Sequence, residues 1–306
     1  MARTAAIRRS GRNDQHLNHC NGGSVRQVGT ATSGAITIWF ERFGSDDKPT
    51  VLLIQGAGGQ AIGWTDEFCE LLVAAGLSAV RFDNRDSGLS STSTDDDLYS
   101  LSDMARDAVA VLDELHAERC HVVGVSLGGM IAQTLAIEHT TRVESLTSIS
   151  TTPHAFDPMS RTPSEELVAL TADMMDPPED EIGRVEMGVR LARAMSGSAY
   201  EFDDTFQRSL QTELVRRAWN PDGMMRQGGA AISAEDRLEA LCSIDLPVLV
   251  IHGTEDPVMP YDEGAILASA HPRGRLLTLT GVGHELPPQT WPAVIGAIAN
   301  LAGVQP

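Results

Sequence analysis

The stretch Gly124-Val125-Ser126-Leu127-Gly128 sets a serine between two glycines. A short apolar run, 120–125, precedes it, and a segment with helical spacing, 127–139, follows. A serine hydroxyl is a weak nucleophile until a base takes its proton. On a sharp strand-to-helix turn, small neighbours give the chain room to reverse and leave the hydroxyl exposed. The first amide of the helix, that of Leu127, then points where negative charge would develop on an attacked carbonyl. The chemistry implied is acyl transfer through Ser126. A glycine-rich turn with no chemistry is the competing reading, so the surroundings decide.

A base and an orienting carboxylate are the next requirement. Of the nine histidines, His284 stands apart, in the loop "GVGHELP" just after the last strand-like run. His252 lies inside a buried strand pattern and reads as a core or supporting residue. The loop "HGTEDPVMP" offers Glu255 and Asp256. Asp256 is favoured, because Asp-Pro starts a turn that fixes the carboxylate. The order Ser126, Asp256, His284 is that of a triad built on strand ends. A second oxyanion donor is expected from the glycine loop "QGAGGQ" at 55–60, where the Ala57 amide has the right position.

These residues need a scaffold that brings distant loops to one edge. Short apolar runs at 36–43, 50–56, 120–125, 143–150, 246–253 and 275–281, and a strand running into a loop at 78–88, alternate with helical patterns at 66–76, 101–117, 127–139, 262–270 and 289–302. That rhythm predicts an α/β fold with a mostly parallel central sheet and helices on both faces. Ser102 reads as the N-cap of the helix at 101–117. Parallel strands put all their carboxyl ends on one edge, where ligands bind. The rhythm stops at 153–235, which reads as an inserted helical cap or lid between core segments 25–152 and 236–306. Residues 1–24 are polar and arginine-bearing, without a secretory pattern, and read as a disordered arm.

The chain has 306 residues and a formal net charge of −19. That charge argues against nucleic acid or an anionic membrane surface as partner. No apolar run approaches the roughly 20 residues needed to span a bilayer. The cysteines, Cys20, Cys69, Cys120 and Cys242, form no C-x-x-C pair. They read as free thiols of a reducing compartment, and the expected location is cytoplasmic. No metal or nucleotide motif is found, so no cofactor is expected. Seven of the eleven methionines fall between 159 and 225. Met174 and Met187, with Trp64, are candidates for an adaptable apolar pocket; ordinary core packing is the alternative.

On Gly124–Gly128, Asp256, His284, the loop at 56–59 and "RFDNRDSGLS" (81–90), the chain resembles the α/β-hydrolase family over about residues 25–304. Asp83, Arg85, Gly88 and Ser90, together with "AIGWTDEF" (61–68), look most like the aclacinomycin methylesterase group and related small carboxylesterases. The resemblance implies a cofactor-free hydrolase acting on a small-molecule ester beneath a helical cap. Two departures stand out. Gln55-Gly56 replaces the usual His-Gly, and Asp86 stands where Gly is commoner after the arginine. A carbon–carbon bond hydrolase on the same triad, or a low-turnover ligand-binding homologue, are the other functions compatible with these residues.

Overall fold

The computed structural model describes residues 17–21, 24–94, 98–156, 170, 173–174 and 176–304. Nine strands, among the described residues, form a single sheet in the order β1-β2-β3-β5-β4-β6-β7-β8-β9. They are β1 (Leu17–Asn21), β2 (Ser24–Ser33), β3 (Ile36–Phe43), β4 (Thr50–Ile54), β5 (Ser78–Phe82), β6 (Cys120–Val125), β7 (Val143–Ile149), β8 (Val248–Gly253) and β9 (Gly274–Leu279). The first three run antiparallel to their neighbours, and β3 pairs antiparallel with β5. From β5 to β9 every pairing is parallel. The inner parallel strands β4, β5 and β8 are almost wholly buried, because both of their faces are covered.

Two apolar clusters flank the sheet. On one face, α2 (Leu101–Glu114), α3 (Leu127–Glu138) and α8 (Tyr261–Ala270) pack Met104, Met130, Leu135 and Leu267 against Leu52, Val122 and Val250. On the other, α1 (Asp66–Ala74) and α9 (Trp291–Leu301) pack Phe68, Leu72, Trp291 and Ile298 against Val51, Leu53 and Ile251. Between β7 and β8 lie α4 (Glu181–Ala194), α5 (Asp204–Arg217), α6 (Pro221–Ile232) and the short α7 (Leu238–Cys242). Each of α4, α5 and α6 starts at an Asp or Asn whose side chain accepts an amide of the first turn, the usual N-cap.

The structure departs from the sequence reading at the amino-terminal edge of the sheet, where the sequence reading lacks β2 (Ser24–Ser33), and at one helix cap. Residues 17–21, read as part of a disordered arm, form the edge strand β1 on β2; residues 1–16 lie outside the described residues. The N-cap of α2 is Ser100, not Ser102: Ser100 and Asp103 exchange bonds in a capping box. Ser102 instead donates its hydroxyl to Glu138.

Candidate active site

Every loop of interest leaves the carboxyl end of a parallel strand: 55–59 after β4, 83–90 after β5, Ser126 after β6, Thr151 after β7, Asp256 after β8 and His284 after β9. Ser126 sits at the junction of β6 and α3 with φ +55° and ψ −123°. That backbone conformation is costly for a residue with a Cβ, on the order of 1–3 kcal/mol. The surroundings enforce it. Ser126 donates its N–H to the Ile149 carbonyl at 2.9 Å, and its carbonyl accepts the Thr151 hydroxyl at 2.7 Å. Gly124 and Gly128 have no room for a side chain. A Cβ on Gly124 would lie 2.0 Å from the Gly128 carbonyl oxygen, and one on Gly128 would lie 2.2 Å from the Ile54 oxygen. The Ser126 hydroxyl does not cap α3. It lies against the 55–59 loop, 3.7 Å from where a Cβ on Gly56 would stand.

His284 is half-buried, and its Nδ1 lies 2.7 Å from Asp256 Oδ2. The other oxygen of Asp256, Oδ1, accepts the Val258 and Met259 amides at 2.8 and 2.7 Å. Burial pushes the Asp256 carboxyl up. The attraction of His284 and hydrogen bonds from His252, His284 and Met259 outweigh it and hold the group well below the ordinary carboxylate range. An ionised carboxylate only accepts, so His284 must donate through Nδ1, leaving Nε2 as the acceptor. His252, fully buried on β8, donates Nε2 to the Met259 carbonyl at 3.1 Å and stands 3.5 Å from Asp256 Oδ2. It is the supporting residue that its place in the strand suggested. Glu255, the other acid of that loop, points away and binds the Ser198 amide and hydroxyl, each at 2.8 Å.

In the 55–59 loop the amides of Gly56, Gly58 and Gly59 bond to Gln55 Oε1, Gln227 Oε1 and the Gly56 carbonyl. Ala57 is the residue whose amide takes no such partner among the described residues. Leu127 opens α3, and its amide is one of the helix's unsatisfied donors.

A cavity of about 430 Å³ opens over these loops. Its floor includes Gln55, Ala57, Val125 and His284, with Trp64, Phe68 and Trp291 along one wall. Its roof is the inner face of α4, α5 and α6, including Met187, Leu191, Leu210, Leu214 and Met224, with Met174 from the segment before α4. The candidate pocket residues Trp64, Met174 and Met187 all line it. Met159 and Met175 lie outside the described residues.

Three inserted side chains absent from the sequence reading join the roof to the core. Arg217 binds Asp83 in a bidentate pair at 3.0 and 2.7 Å. Arg226 binds Asp86 likewise at 3.0 and 2.9 Å. Gln227, fully buried, accepts the Gly58 amide and donates to the Arg85 carbonyl and the Ser87 hydroxyl. Two unpaired acids in "DNRD" beside a buried strand were the sequence signal that cations must arrive from elsewhere. Asp86 also accounts for one departure noted above. It adopts φ +69°, where Gly is common and Asp tolerated, and its carboxylate receives Arg226, Tyr99 and the Ser93 amide.

A positive-φ serine between glycines sits on the β6–α3 turn, and a His–Asp pair follows β8 and β9 at the same edge of the sheet; the chain belongs to one class of such proteins, for residues 49–288 match the alpha/beta hydrolase fold family. Within that family the chain resembles the methylesterase group. It is 30% identical to the rhodomycin D methylesterase DnrP of Streptomyces peucetius, over 84% of this chain and 91% of that one. It is also 30% identical to a 2-hydroxy-6-oxononadienedioate/2-hydroxy-6-oxononatrienedioate hydrolase of Cupriavidus pinatubonensis, over 77% of this chain and 80% of that one. The fold is shared with the enol-lactonase of Burkholderia xenovorans, at a TM-score of 0.74 and 18% identity, covering 90% of this chain and all of that one. Among the described residues, no helix is long and apolar enough to cross a membrane, and no group of three or more His, Cys, Asp or Glu could hold a metal ion.

Proposed function

We propose that the protein is a serine hydrolase that cleaves carboxylic esters with an apolar acyl or alcohol part, through Ser126, His284 and Asp256. The observation that carries the reading is the strained Ser126 turn at the sheet edge that also carries His284, whose Nδ1 is bound to an ionised, hydrogen-bonded Asp256. In this mechanism His284 Nε2 takes the hydroxyl proton as Ser126 attacks the carbonyl carbon. The Leu127 and Ala57 amides stabilise the oxyanion. His284 then protonates the departing alkoxide, leaving an acyl-serine. A water, deprotonated by the same imidazole, releases the acid and restores Ser126.

The cavity's apolar, methionine-bearing roof supports a hydrophobic, accommodating substrate. The likeness to a methylesterase supports methyl esters within that class. Cys69, Cys120 and Cys242 are free thiols, which supports a reducing setting. A second reading, carbon–carbon bond hydrolysis on the same residues, is favoured by the likeness to the 2-hydroxy-6-oxononadienedioate/2-hydroxy-6-oxononatrienedioate hydrolase of Cupriavidus pinatubonensis.

The test is hydrolysis of p-nitrophenyl esters of graded acyl length by the wild type and Ser126→Ala. The ester reading expects turnover by the wild type and a loss on the order of 10⁴–10⁶ in kcat for the variant. A folded wild type inert to the whole series, but active on a vinylogous diketone, would transfer the site to the second reading.

A further inference from the structure

The roof of the cavity carries a cation at the end remote from the reacting groups. Helix α4 turns one stripe inward: Arg184, Met187, Gly188, Leu191 and Ala192, followed by Met195. The Met195 carbonyl accepts the His284 amide at 2.8 Å, so that end of the stripe stands over the base. Arg184 lies eleven residues earlier, about 16 Å along the helix. Between the two ends the stripe is apolar. Arg184 donates Nε to the Pro178 carbonyl at 2.9 Å, and its guanidinium stacks 5.0 Å over the Trp219 ring. Its Nη groups bond to no carboxylate or other acceptor among the described residues.

The carboxylates that line the cavity are engaged elsewhere. Asp86 is held by Arg226 and Tyr99. Glu285 accepts the Gly197 amide at 3.0 Å, at the Met195 end. A stacked guanidinium with free N–H groups, at the end of an apolar channel, matches the fork geometry of a carboxylate.

We propose that the cavity takes esters whose long apolar arm ends in a carboxylate, with Arg184 binding that distal anion while the ester lies at Ser126. This rests on the ester-cleaving reading of Ser126 and His284, and it makes Arg184 a specificity-determining residue of the same site.

The experiment compares methyl esters, whose long arm is necessarily the acyl chain. Monomethyl esters of straight-chain α,ω-dicarboxylic acids are set against methyl esters of monocarboxylic acids of equal length, for the wild type, Arg184→Met and Arg184→Lys. The wild type should favour the half-esters at the longer lengths by roughly ten-fold in kcat/KM, with the preference eroded by salt. Read as the ratio of half-ester to neutral-ester kcat/KM at each length, the preference should vanish in Arg184→Met and persist in part in Arg184→Lys. Equal preference in wild type and Arg184→Met, or a wild-type preference for neutral esters, would overturn the inference.

A second measurement separates the two readings: calorimetric binding of a long diacid and the matching monoacid to Ser126→Ala and to Ser126→Ala/Arg184→Met. A diacid preference that depends on Arg184, with no ester cleaved by the wild type, would sustain the distal site and sink the Ser126 reading. Neutral esters cleaved through Ser126 with no diacid preference would do the reverse.

Discussion

The buried amide of Gln227 on α6 accepts the Gly58 N–H at 2.8 Å and donates to the Arg85 carbonyl at 2.7 Å. One side chain of the inserted helices thus fixes both the loop after β4 and the loop after β5, and Ala57 is held between the Gly56 and Gly58 amides that the loop commits to structure. The roof and the loop of the proposed oxyanion donor are thereby tied through one side chain.

Gln227→Leu should therefore act on both stability and rate. It leaves the Arg85 carbonyl buried without this partner, a cost of about 1–3 kcal/mol, and releases the Gly58 amide, which faces solvent, from its bond to the roof. On an ester that the wild type turns over, kcat should fall about ten-fold or more while KM changes less, since the loss falls on transition-state stabilisation. Thermal melts and steady-state kinetics on the same preparation measure both.

The backbone at Ser126 predicts an ordering of variants. At φ +55° and ψ −123°, glycine carries no steric penalty while alanine keeps it. Both Ser126→Gly and Ser126→Ala should be inactive, and Ser126→Gly should be the more stable by about 1 kcal/mol in chemical denaturation. Equal stabilities would mean that the turn stores no strain.

Gly197 is the point where the inserted segment meets the loop that carries the base. A Cβ there would lie 2.1 Å from the Gly281 oxygen and 2.6 Å from the Gly283 amide nitrogen. Flanking it, the Met195 carbonyl accepts the His284 amide and the Ala199 amide binds Gly281, each at 2.8 Å. Gly197→Ala should displace the His284 loop and cut kcat by at least about ten-fold. Gly228→Ala is the control. It lies in α6 with nothing near its would-be Cβ, so it should leave activity intact and stabilise by up to about 1 kcal/mol.

The Asp256 carboxyl titrates well below its unfolded value of 3.8. With the folded value depressed, the unfolded chain binds more protons across that interval, so stability rises with pH there. The contribution is fully present above the unfolded value and is lost as pH falls through the folded one. In melts taken from about pH 6 down to about pH 2.5, the stability gap between wild type and Asp256→Asn should hold down to about pH 4 and then narrow. A gap that widens on acidification would contradict the assignment of an ionised, hydrogen-bonded Asp256.

The sheet and the strand-to-helix turn at Ser126 were legible because their signals are local. Buried parallel strands read as continuous apolar runs, and the Ser126 turn needs small residues within two positions of it. His284 and Asp256 were found by topology, since each follows a strand whose end had to lie on the same edge. Strands β1 and β2 escaped because their sequences, "LNHCN" and "SVRQVGTATS", are polar or weakly alternating; the antiparallel edge places less demand on them than the buried strands meet. The pairs Arg217–Asp83 and Arg226–Asp86 span 134 and 140 residues. No local spacing selects one arginine of the insertion over another, so only the unmet need of two buried acids was written in the sequence. The stripe on α4 was hidden for a similar reason: its inward face is defined by where α4 packs, not by its own weak periodicity.

The central claim is that Ser126 is the nucleophile. It is tested most directly by treating the folded protein with a fluorophosphonate and mapping the adduct by peptide mass spectrometry, with and without a competing long-chain methyl ester. The account predicts a single adduct on Ser126, slowed by the ester and absent from Ser126→Ala. No adduct on the folded wild type, or one that persists in Ser126→Ala, would contradict it.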